Sequence, residues 1–460
     1  MFPAASPDQV GAPAAPAISR ADAIAGIVVV LIYAAIQIVL ALGHDPWLDE
    51  AQAWLLASRA QSPLDLIVLP GEGHPPLWYW ILWSLSQFLD FSQARFLTLP
   101  IAILNAFLLL RLLRGQAILL AVLLMNFSIL QFWGYHFRPY GLILTCTLTA
   151  LLLDRNGRPV AATWAMAATC ALHFFAGFLL AFWLLWQWHK GTPIRKLVLP
   201  ALLALAFGLC AILSSTGNTT IGPVEDSTLF MSVFDNLGWF GMIPPVRGPI
   251  VAIITLVALA YGLRQTPFIA GALISLLVVF AISTALIYGR APWHSTYLTM
   301  LCVMAFCLAG FTRQRALILT ILLLPQAAFG AAALNLRFTY PVWAQDNLYG
   351  VIQADAGTDL VPERDVIGWP AEVIPPYSAT YGIEMINGNN GKLIGPIDWS
   401  IYDLEPLDPV LIEKPGPYWL ICVACQVPLD YLAEHGRTAT LLGSKYLVDH
   451  ASTFEAYRVQ

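Results

Sequence analysis

Long apolar segments alternate with short polar connections from about residue 23 to residue 334, and the rest of the chain is polar. A helix needs about 20 mostly apolar residues to cross a bilayer, and residues 23–42 meet that length. This segment lacks the cationic start of a cleaved signal peptide, so we predict that it is the first span. The pattern indicates a polytopic α-helical membrane protein.

The later apolar segments raise the predicted number of transmembrane helices to about 11. They are residues 96–110, 117–133, 140–153, 160–172, 175–188, 197–213, 250–263, 268–288, 296–310 and 316–334.

The first external connection, which begins with the polar residues 44–80, is predicted to contain interfacial helices. Residues 49–59 have an amphipathic pattern, and residues 77–89 are rich in Trp and Tyr. The second run is only about 13 residues long, which is short for a span and suits a helix lying along the membrane surface.

The distribution of Lys and Arg predicts the orientation. If residues 77–89 do not cross, eleven cations fall on one side of the membrane and five in the loops opposite, before the C-terminal segment. Cytoplasmic loops carry the excess of Lys and Arg. The N-terminus is therefore predicted in the cytoplasm, with the 44–80 connection and the C-terminal segment outside.

Three regions follow from these patterns. Residues 1–20 are rich in Ala and Pro and are predicted to be a disordered cytoplasmic N-terminus, and residues 21–335 form the membrane domain. Residues 336–460 are predicted to be a small external α/β domain, with strands near 365–369, 418–424 and 445–448. Its Cys422 and Cys425 form a CxxC, which predicts strand packing or a local disulfide, since a redox motif would need a strand-to-helix context.

Composition supports the membrane class. The chain is 58% hydrophobic and 11% charged, whereas a soluble protein is about 25% charged. The net charge of −5 gives no reason to propose nucleic-acid binding.

The paired carboxylates Asp49 and Glu50 are the first candidates for chemistry, because burying an acid at a membrane interface is costly. Trp47 lies beside them. The alternative is structural: Asp49 could cap the following helix, and Glu50 could interact with its dipole.

External cations form a second candidate group. Arg138 precedes one span and Arg290 another, and guanidinium binds phosphate in a bidentate fork. Arginines at such positions also reach for lipid headgroups, which is the alternative. His74, His173 and His294 lie on the same predicted side, but no zinc-site spacing is present. The residues identify no specific cofactor, and a divalent metal stays an open alternative.

Two further motifs make the chain recognisable. HPPLWYW at residues 74–80 and RPYGL at 138–142, together with the Asp-Glu pair, resemble GT-C glycosyltransferases. The similarity is greatest to the branch of protein O-mannosyltransferases and lipid A aminoarabinose transferases. The latter have lysine where this chain has His74, and the eukaryotic mannosyltransferases carry a large lumenal domain that this chain lacks.

The resemblance implies an integral membrane enzyme that uses a polyprenyl-phosphate monosaccharide. Asp49 would be the general base, and Glu50 would orient the acceptor or Asp49. The donor phosphate would be bound by Arg138 and Arg290, with help from the further candidates His74, His294 and Tyr140. His173, Trp47 and Arg247 are candidates for other substrate contacts. The acceptor, a lipid, glycan or protein, is not predicted, and short loops favour a bacterial inner membrane with the site facing the periplasm.

The rival class is a transporter or flippase of a lipid-linked anion. It would also use external arginines. A transporter is expected to show inverted repeats and discontinuous spans in matched halves, and the sequence has no evident repeat.

Overall fold

The protein is described here from a computed structural model. The structure describes residues 19–216, 226–238, 248–288, 292–339, 346–397, 407–447 and 452–460.

Helices make up the chain as far as residue 339, and a mixed sheet with short helices makes up the rest. The helices are α1 (Arg20–Leu42), α2 (Leu48–Arg59), α3 (Leu77–Ser86), α4 (Phe91–Ala94), α5 (Thr98–Leu112), α6 (Ala117–Leu124), α7 (Phe127–Leu130), α8 (Tyr140–Arg155), α9 (Pro159–Leu172), α10 (Ala176–His189), α11 (Val198–Ser215), α12 (Asp226–Leu237), α13 (Pro249–Gly262), α14 (Pro267–Tyr288), α15 (Pro292–Ala309), α16 (Arg313–Thr339), α17 (Asp346–Ala356), α18 (Pro362–Asp365), α19 (Ile374–Tyr381), α20 (Val410–Glu413) and α21 (Gln426–Glu434). The strands are β1 (Val366–Trp369), β2 (Met385–Asn387), β3 (Leu393–Ile394), β4 (Tyr418–Val423), β5 (Ala439–Leu447) and β6 (Ser452–Val459).

Five helical segments in the described residues are long and apolar enough to cross a membrane. They are Arg20–Leu42, Phe91–Leu112, Val198–Ser215, Pro267–Ile287 and Arg313–Phe338. Shorter apolar helices accompany them, among them α9 and α13. These are the features of a polytopic membrane protein, and the count of eleven spans stays a prediction.

The predicted span at 117–133 differs from the structure. It consists of α6 followed by a second helical segment, Phe127–Tyr135, and the two are bent by 65°. Asn126 starts the second segment, because its side chain accepts the N–H of Ser128 at 3.0 Å. The segment continues as a π-helical turn, Gln131–Tyr135, in which Gly134 has a non-helical backbone conformation.

The first connection contains the two helices predicted there. Helix α3 has ten residues, so it is about 15 Å long and cannot cross the roughly 30 Å hydrocarbon layer alone. The indole N–H of Trp80 donates to the carbonyl of Pro63 at 2.7 Å, and that of Trp83 to Ala60 at 3.1 Å. These bonds attach α3 to the segment that follows α2.

A six-stranded sheet follows the helical region, in the order β3-β2-β1-β4-β6-β5. Strand β1 is parallel to β2 and β4, and the other pairs are antiparallel. Alternate residues of β4 face opposite sides: Trp419 and Ile421 pack in one apolar cluster with α17 and α19, and Leu420 packs in another with α21. Both faces of the sheet are therefore covered.

Cys422 and Cys425 form a disulfide. This agrees with one of the two structures predicted for the CxxC, the local disulfide. The strand-to-helix context that the sequence did not reveal is present, because β4 ends at Val423 and α21 begins at Gln426. Both cysteines are nonetheless buried.

Candidate active site

Helix α2 carries the acid pair in its first turn. Trp47 is the N-cap, and the carboxylate of Glu50 accepts the N–H of Trp47 at 2.9 Å. The alternative prediction that Asp49 caps this helix is therefore wrong. Asp49 lies one position inside the helix, where its carboxylate is available for other contacts.

Glu50 is buried, and its carboxylate connects α2 to a second segment of the chain. Its side chain is 1% exposed, and its oxygens accept bonds from His44 Nε2 at 2.8 Å and from the backbone N–H of Phe137 at 2.6 Å. Burial is the largest influence on the pKa of Glu50 and would raise it. The charge and hydrogen bond of His44 are the main influences that outweigh burial, and the pKa falls to about 2. Glu50 is thus an ionised group that fixes the start of α2 to the segment carrying Arg138.

Asp49 is the accessible member of the pair, with a side chain that is 32% exposed. Its Oδ2 atom lies 3.6 Å from Nη2 of Arg138, and its backbone carbonyl accepts Nη1–H of the same arginine at 2.8 Å. The partial burial of the carboxylate removes water from it and raises its pKa. The charge of Arg138 partly opposes the rise, and Glu50 adds to it. A carboxylate with a raised pKa is a better proton acceptor than an ordinary one.

Arg138 is held between Asp49 and His74. It is 7% exposed, and its Nη2 atom lies 3.3 Å from Nε2 of His74. His74 Nδ1 donates to the carbonyl of Glu72 at 2.6 Å, so Nε2 is the acceptor for the arginine. Burial and the charge of Arg138 lower the pKa of His74 to about 3. His74 is therefore neutral, and it orients the guanidinium.

Glu72 is a third carboxyl group of the site, which the sequence analysis did not single out. Its oxygens accept bonds from Gln52 at 2.8 Å and from the hydroxyl of Tyr79 at 3.1 Å. Burial raises the pKa of Glu72 to about 6. It lies two residues before His74, within the Gly-rich turn GEG. The position of this carboxyl group, two residues before the HPPLWYW motif, was the feature of the sequence that could have identified it.

The predicted substrate residues are distributed around this centre. The ring of His173 lies 5.2 Å from that of His74, 5.6 Å from that of His294 and 5.6 Å from that of Tyr140. Trp47 lies near Glu50 rather than near His173, and its ring is 5.8 Å from that of His136. Arg247 and Arg290 lie outside the described residues. Within the ranges that the structure describes, no three His, Cys, Asp or Glu residues form a group that could hold a metal ion.

An apolar cavity of about 290 Å³ lies beside this centre. Arg138 and Phe137 line it together with side chains of the interfacial helix α3, the start of α5 and the start of α8. These are Trp78, Ile81, Leu85, Ile101 and Leu142. The cavity therefore brings an apolar surface to a buried cation.

Segments next to strands β2 and β3 also contact the acid-bearing helix. The side-chain amide of Gln52 exchanges two hydrogen bonds with the backbone of Ile397, at 2.7 and 2.8 Å. Arg59 at the end of α2 pairs with Glu384 at 2.8 Å. Because Gln52 also bonds Glu72, one amide joins the segment after β3 to the carboxyl cluster.

Comparison with known proteins gives one similarity of fold. No family model and no curated protein sequence matches the chain. Among solved structures, it is similar to the crystal structure of ArnT from Cupriavidus metallidurans bound to undecaprenyl phosphate. The TM-score is 0.48 and the identity 12%, over 93% of this chain and 97% of that one. At this identity no residue role transfers from one chain to the other.

We expect Glu50→Gln to lower both the melting temperature and any activity of the protein. Three donors converge on the two oxygens of Glu50, and a glutamine would turn its NH₂ group towards at least one of them. Hydrogen bonds to a charged group are worth about 1.5–3 kcal/mol each. Thermal unfolding of the purified protein measures the loss.

Glu384→Gln is the matched control for Glu50→Gln. Glu384 is 36% exposed in its pair with Arg59, and exposed ion pairs contribute about 0–1 kcal/mol. An unchanged melting temperature in Glu50→Gln would contradict the anchoring role.

Proposed function

We propose that this chain is a membrane glycosyltransferase that moves a monosaccharide from a polyprenyl-phosphate donor to an acceptor hydroxyl. The observation that carries the proposal is the 3.6 Å approach of Asp49 to Arg138 beside an apolar cavity. A proton acceptor, a phosphate-binding cation and a surface for a lipid chain are what this reaction requires. We infer further that the site faces the periplasm of a bacterial inner membrane, because the charge distribution predicts an external site and the short loops favour that membrane.

The reaction is a single displacement. The acceptor oxygen attacks the anomeric carbon while its proton passes to the carboxylate of Asp49. The bond between the anomeric carbon and the phosphate oxygen breaks, and its electron pair leaves with the phosphate. The products are the glycosylated acceptor, the polyprenyl phosphate and a protonated Asp49, which then loses its proton to water. Solvent reaches part of its side chain.

Arg138 stabilises the leaving phosphate. Negative charge increases on the phosphate oxygens as the bond breaks, and a fixed cation in a site with little water stabilises that charge strongly. The Nε atom of Arg138 is buried and has no hydrogen-bond partner among the residues described, so it can still donate to a phosphate oxygen. Arg290, His294 and Tyr140 stay predicted contributors to phosphate binding, and Arg247 a predicted substrate contact.

The apolar cavity would hold the part of the polyprenyl chain next to the phosphate. Part of its lining comes from α3, which lies along the membrane surface in the predicted topology, so a lipid could enter from the bilayer. Arg138 belongs to the same cavity. A lipid bound there would place its phosphate group next to Asp49.

The sheet would help to select the acceptor. The segment after β3 bonds Gln52 of α2, and the apolar cluster on one face of the sheet includes Leu48, the first residue of that helix. An acceptor that approaches Asp49 from outside the membrane would therefore meet the sheet. This role, like its external location, is part of the proposal.

One feature favours the alternative of a transporter or flippase. The bend of 65° between α6 and the Phe127–Tyr135 segment is a discontinuous span of the type found in transporters. In the part of the chain that the structure describes, no second helix pair has such a bend. A transporter would also move the intact sugar-lipid across the membrane, whereas a transferase cleaves it.

We expect the wild-type protein to bind polyprenyl phosphate, and the apolar cavity to be needed for this. Ile81→Trp would fill the cavity and should weaken binding of a long polyprenyl phosphate at least about tenfold. The reason is that burying one large apolar group is worth about 1.5–3 kcal/mol, and 1.4 kcal/mol is tenfold. Binding of a short-chain phosphate should be unchanged. Mass spectrometry of copurified lipid, followed by titration of both probes, measures this.

Phe88→Trp provides the matched control, since Phe88 lies just after α3 and is 85% exposed. If the filled cavity bound the long-chain lipid normally, the proposed lipid site would be wrong. If the wild-type protein moved the intact sugar-lipid across vesicle membranes and never released polyprenyl phosphate, the transporter alternative would replace the proposed function.

A further inference from the structure

His173 has an unsatisfied donor in the interior of the protein. It lies in the short connection between α9 and α10 and is 0% exposed. Its Nδ1 atom accepts the backbone N–H of Phe175 at 3.2 Å. The ring proton is therefore on Nε2, and this buried N–H has no hydrogen-bond partner among the described residues.

Tyr297 of α15 presents a second unsatisfied group. The side chain is 0% exposed, and its hydroxyl has no partner within the described ranges. Its ring lies 5.5 Å from that of His173, and Trp133 and Phe280 pack against it at 5.7 and 6.2 Å. Two unpaired polar groups thus share one aromatic enclosure.

Their burial is unfavourable without a partner. Leaving a buried donor or acceptor unpaired costs about 1–3 kcal/mol, and native proteins retain only a few such groups. A conservative explanation for each group alone is an ordered water. The position of the pair beside the proposed phosphate site indicates another partner.

The pair lies next to the residues that hold Arg138. The ring of His173 is 5.2 Å from that of His74, and His74 accepts the guanidinium N–H of Arg138. In a polyprenyl-phosphate sugar, the sugar is bonded directly to the phosphate. A phosphate at Arg138 would therefore place the attached sugar close to His74 and to His173, whose ring is next to that of His74.

We propose that Nε2–H of His173 and the hydroxyl of Tyr297 form a subsite for hydroxyl groups of the donor's sugar. This rests on the proposed function. The imidazole N–H donates to a sugar oxygen, and the tyrosine hydroxyl can donate to or accept from a second one. The surrounding aromatic rings cover the apolar C–H faces of the sugar. A site built to bond a hydroxyl strongly disfavours an analogue that lacks it, so the pair contributes to the choice of sugar.

Two lipid probes separate this subsite from the phosphate site. One is bare polyprenyl phosphate, and the other is whichever of a panel of hexosyl and pentosyl polyprenyl phosphates the wild-type protein binds best. Tyr297→Phe and His173→Asn should bind the sugar-loaded probe about tenfold more weakly, since one hydrogen bond is lost. Their affinity for bare polyprenyl phosphate should not change.

The substitutions are chosen to keep the fold. Asparagine can accept the Phe175 N–H in place of Nδ1 but lacks the distal N–H, whereas His173→Gln keeps a donor near the Nε2 position and should recover part of the affinity. Tyr33→Phe removes a buried hydroxyl in α1 that contacts the carbonyl of Ile129, and it should leave both affinities unchanged.

Each other outcome has a clear meaning. Unchanged binding of both probes with a lowered melting temperature would indicate internal waters and overturn the subsite. Equal weakening of both probes would also overturn it. A wild-type protein that binds the bare and the sugar-loaded lipid equally would overturn the subsite alone. Failure of the wild-type protein to bind bare polyprenyl phosphate would instead overturn the proposed function, and the subsite with it.

Discussion

Asp49→Asn should give a folded protein that binds the donor but transfers sugar about 10²–10⁴-fold more slowly, which is the usual contribution of a general base. The start of α2 should stay intact, because Trp47 and Glu50 form the cap and Asp49 does not. Donor binding should be equal or tighter, since a negative charge near the phosphate is removed. Single-turnover transfer and lipid titration on the same preparation measure both quantities.

The pH dependence tests the same assignment. Only the ionised carboxylate can accept a proton, and burial raises the pKa of Asp49. The rate should therefore rise with pH through this raised pKa and be lost below it, at a higher pH than for an ordinary Asp. Glu72 in the same site also has a raised pKa, of about 6.

Glu72→Gln distinguishes the two carboxyls. If Asp49 is the base, this variant should keep the acidic limb of the pH profile. Loss of the limb in Glu72→Gln, together with normal transfer by Asp49→Asn, would assign the base to Glu72. Normal rates in both variants would leave this carboxyl cluster without the proposed chemistry.

The helices were largely predictable because apolar length determines them. The first span was predicted at 23–42 and is Arg20–Leu42, and the amphipathic helix predicted at 49–59 is Leu48–Arg59. The extra turn of α1 comes from Ser19, whose hydroxyl accepts the N–H of Asp22 at 3.0 Å. Such caps depend on single polar residues, which a pattern of hydrophobicity does not register.

The break within 117–133 was not predictable from hydrophobicity for the same reason. The residues on both sides of Asn126 are apolar, and the segment has the composition of one continuous helix. The side chain of Asn126 nevertheless starts a new helix. The presence of an Asn in an apolar run was the signal in the sequence, since Asn favours N-cap positions.

The members of the site were easier to predict than their roles. Asp49, His74 and Arg138 come from three segments, and the structure brings them together. The sequence could not show that His74 orients the arginine, or that Glu50 is bonded to Phe137, because residues 87 positions apart make that contact. Gln52 and Glu72 were missed because their partners lie 345 and 20 residues away.

Arg138→Ala should weaken binding of polyprenyl phosphate at least about 100-fold. Losing the partner of a buried charge costs about 3–5 kcal/mol, and 1.4 kcal/mol is tenfold. The arginine is 7% exposed, so few water molecules could replace it in stabilising the charge of a bound phosphate. Arg138→Lys should be intermediate, because lysine keeps the charge but cannot form the planar bidentate contact. Titration with bare polyprenyl phosphate measures this directly.

Arg59→Ala is the matched control for Arg138→Ala, since Arg59 is also predicted on the external side but its side chain is 43% exposed. It should bind the lipid normally. Arg138 also bonds the carbonyl of Asp49 at 2.8 Å, so its loss could loosen α2 as well as the phosphate site. A melting temperature close to that of the wild type, combined with weak lipid binding, would assign the effect to the phosphate. Normal lipid affinity in Arg138→Ala would show that the guanidinium serves the fold and that the phosphate binds elsewhere.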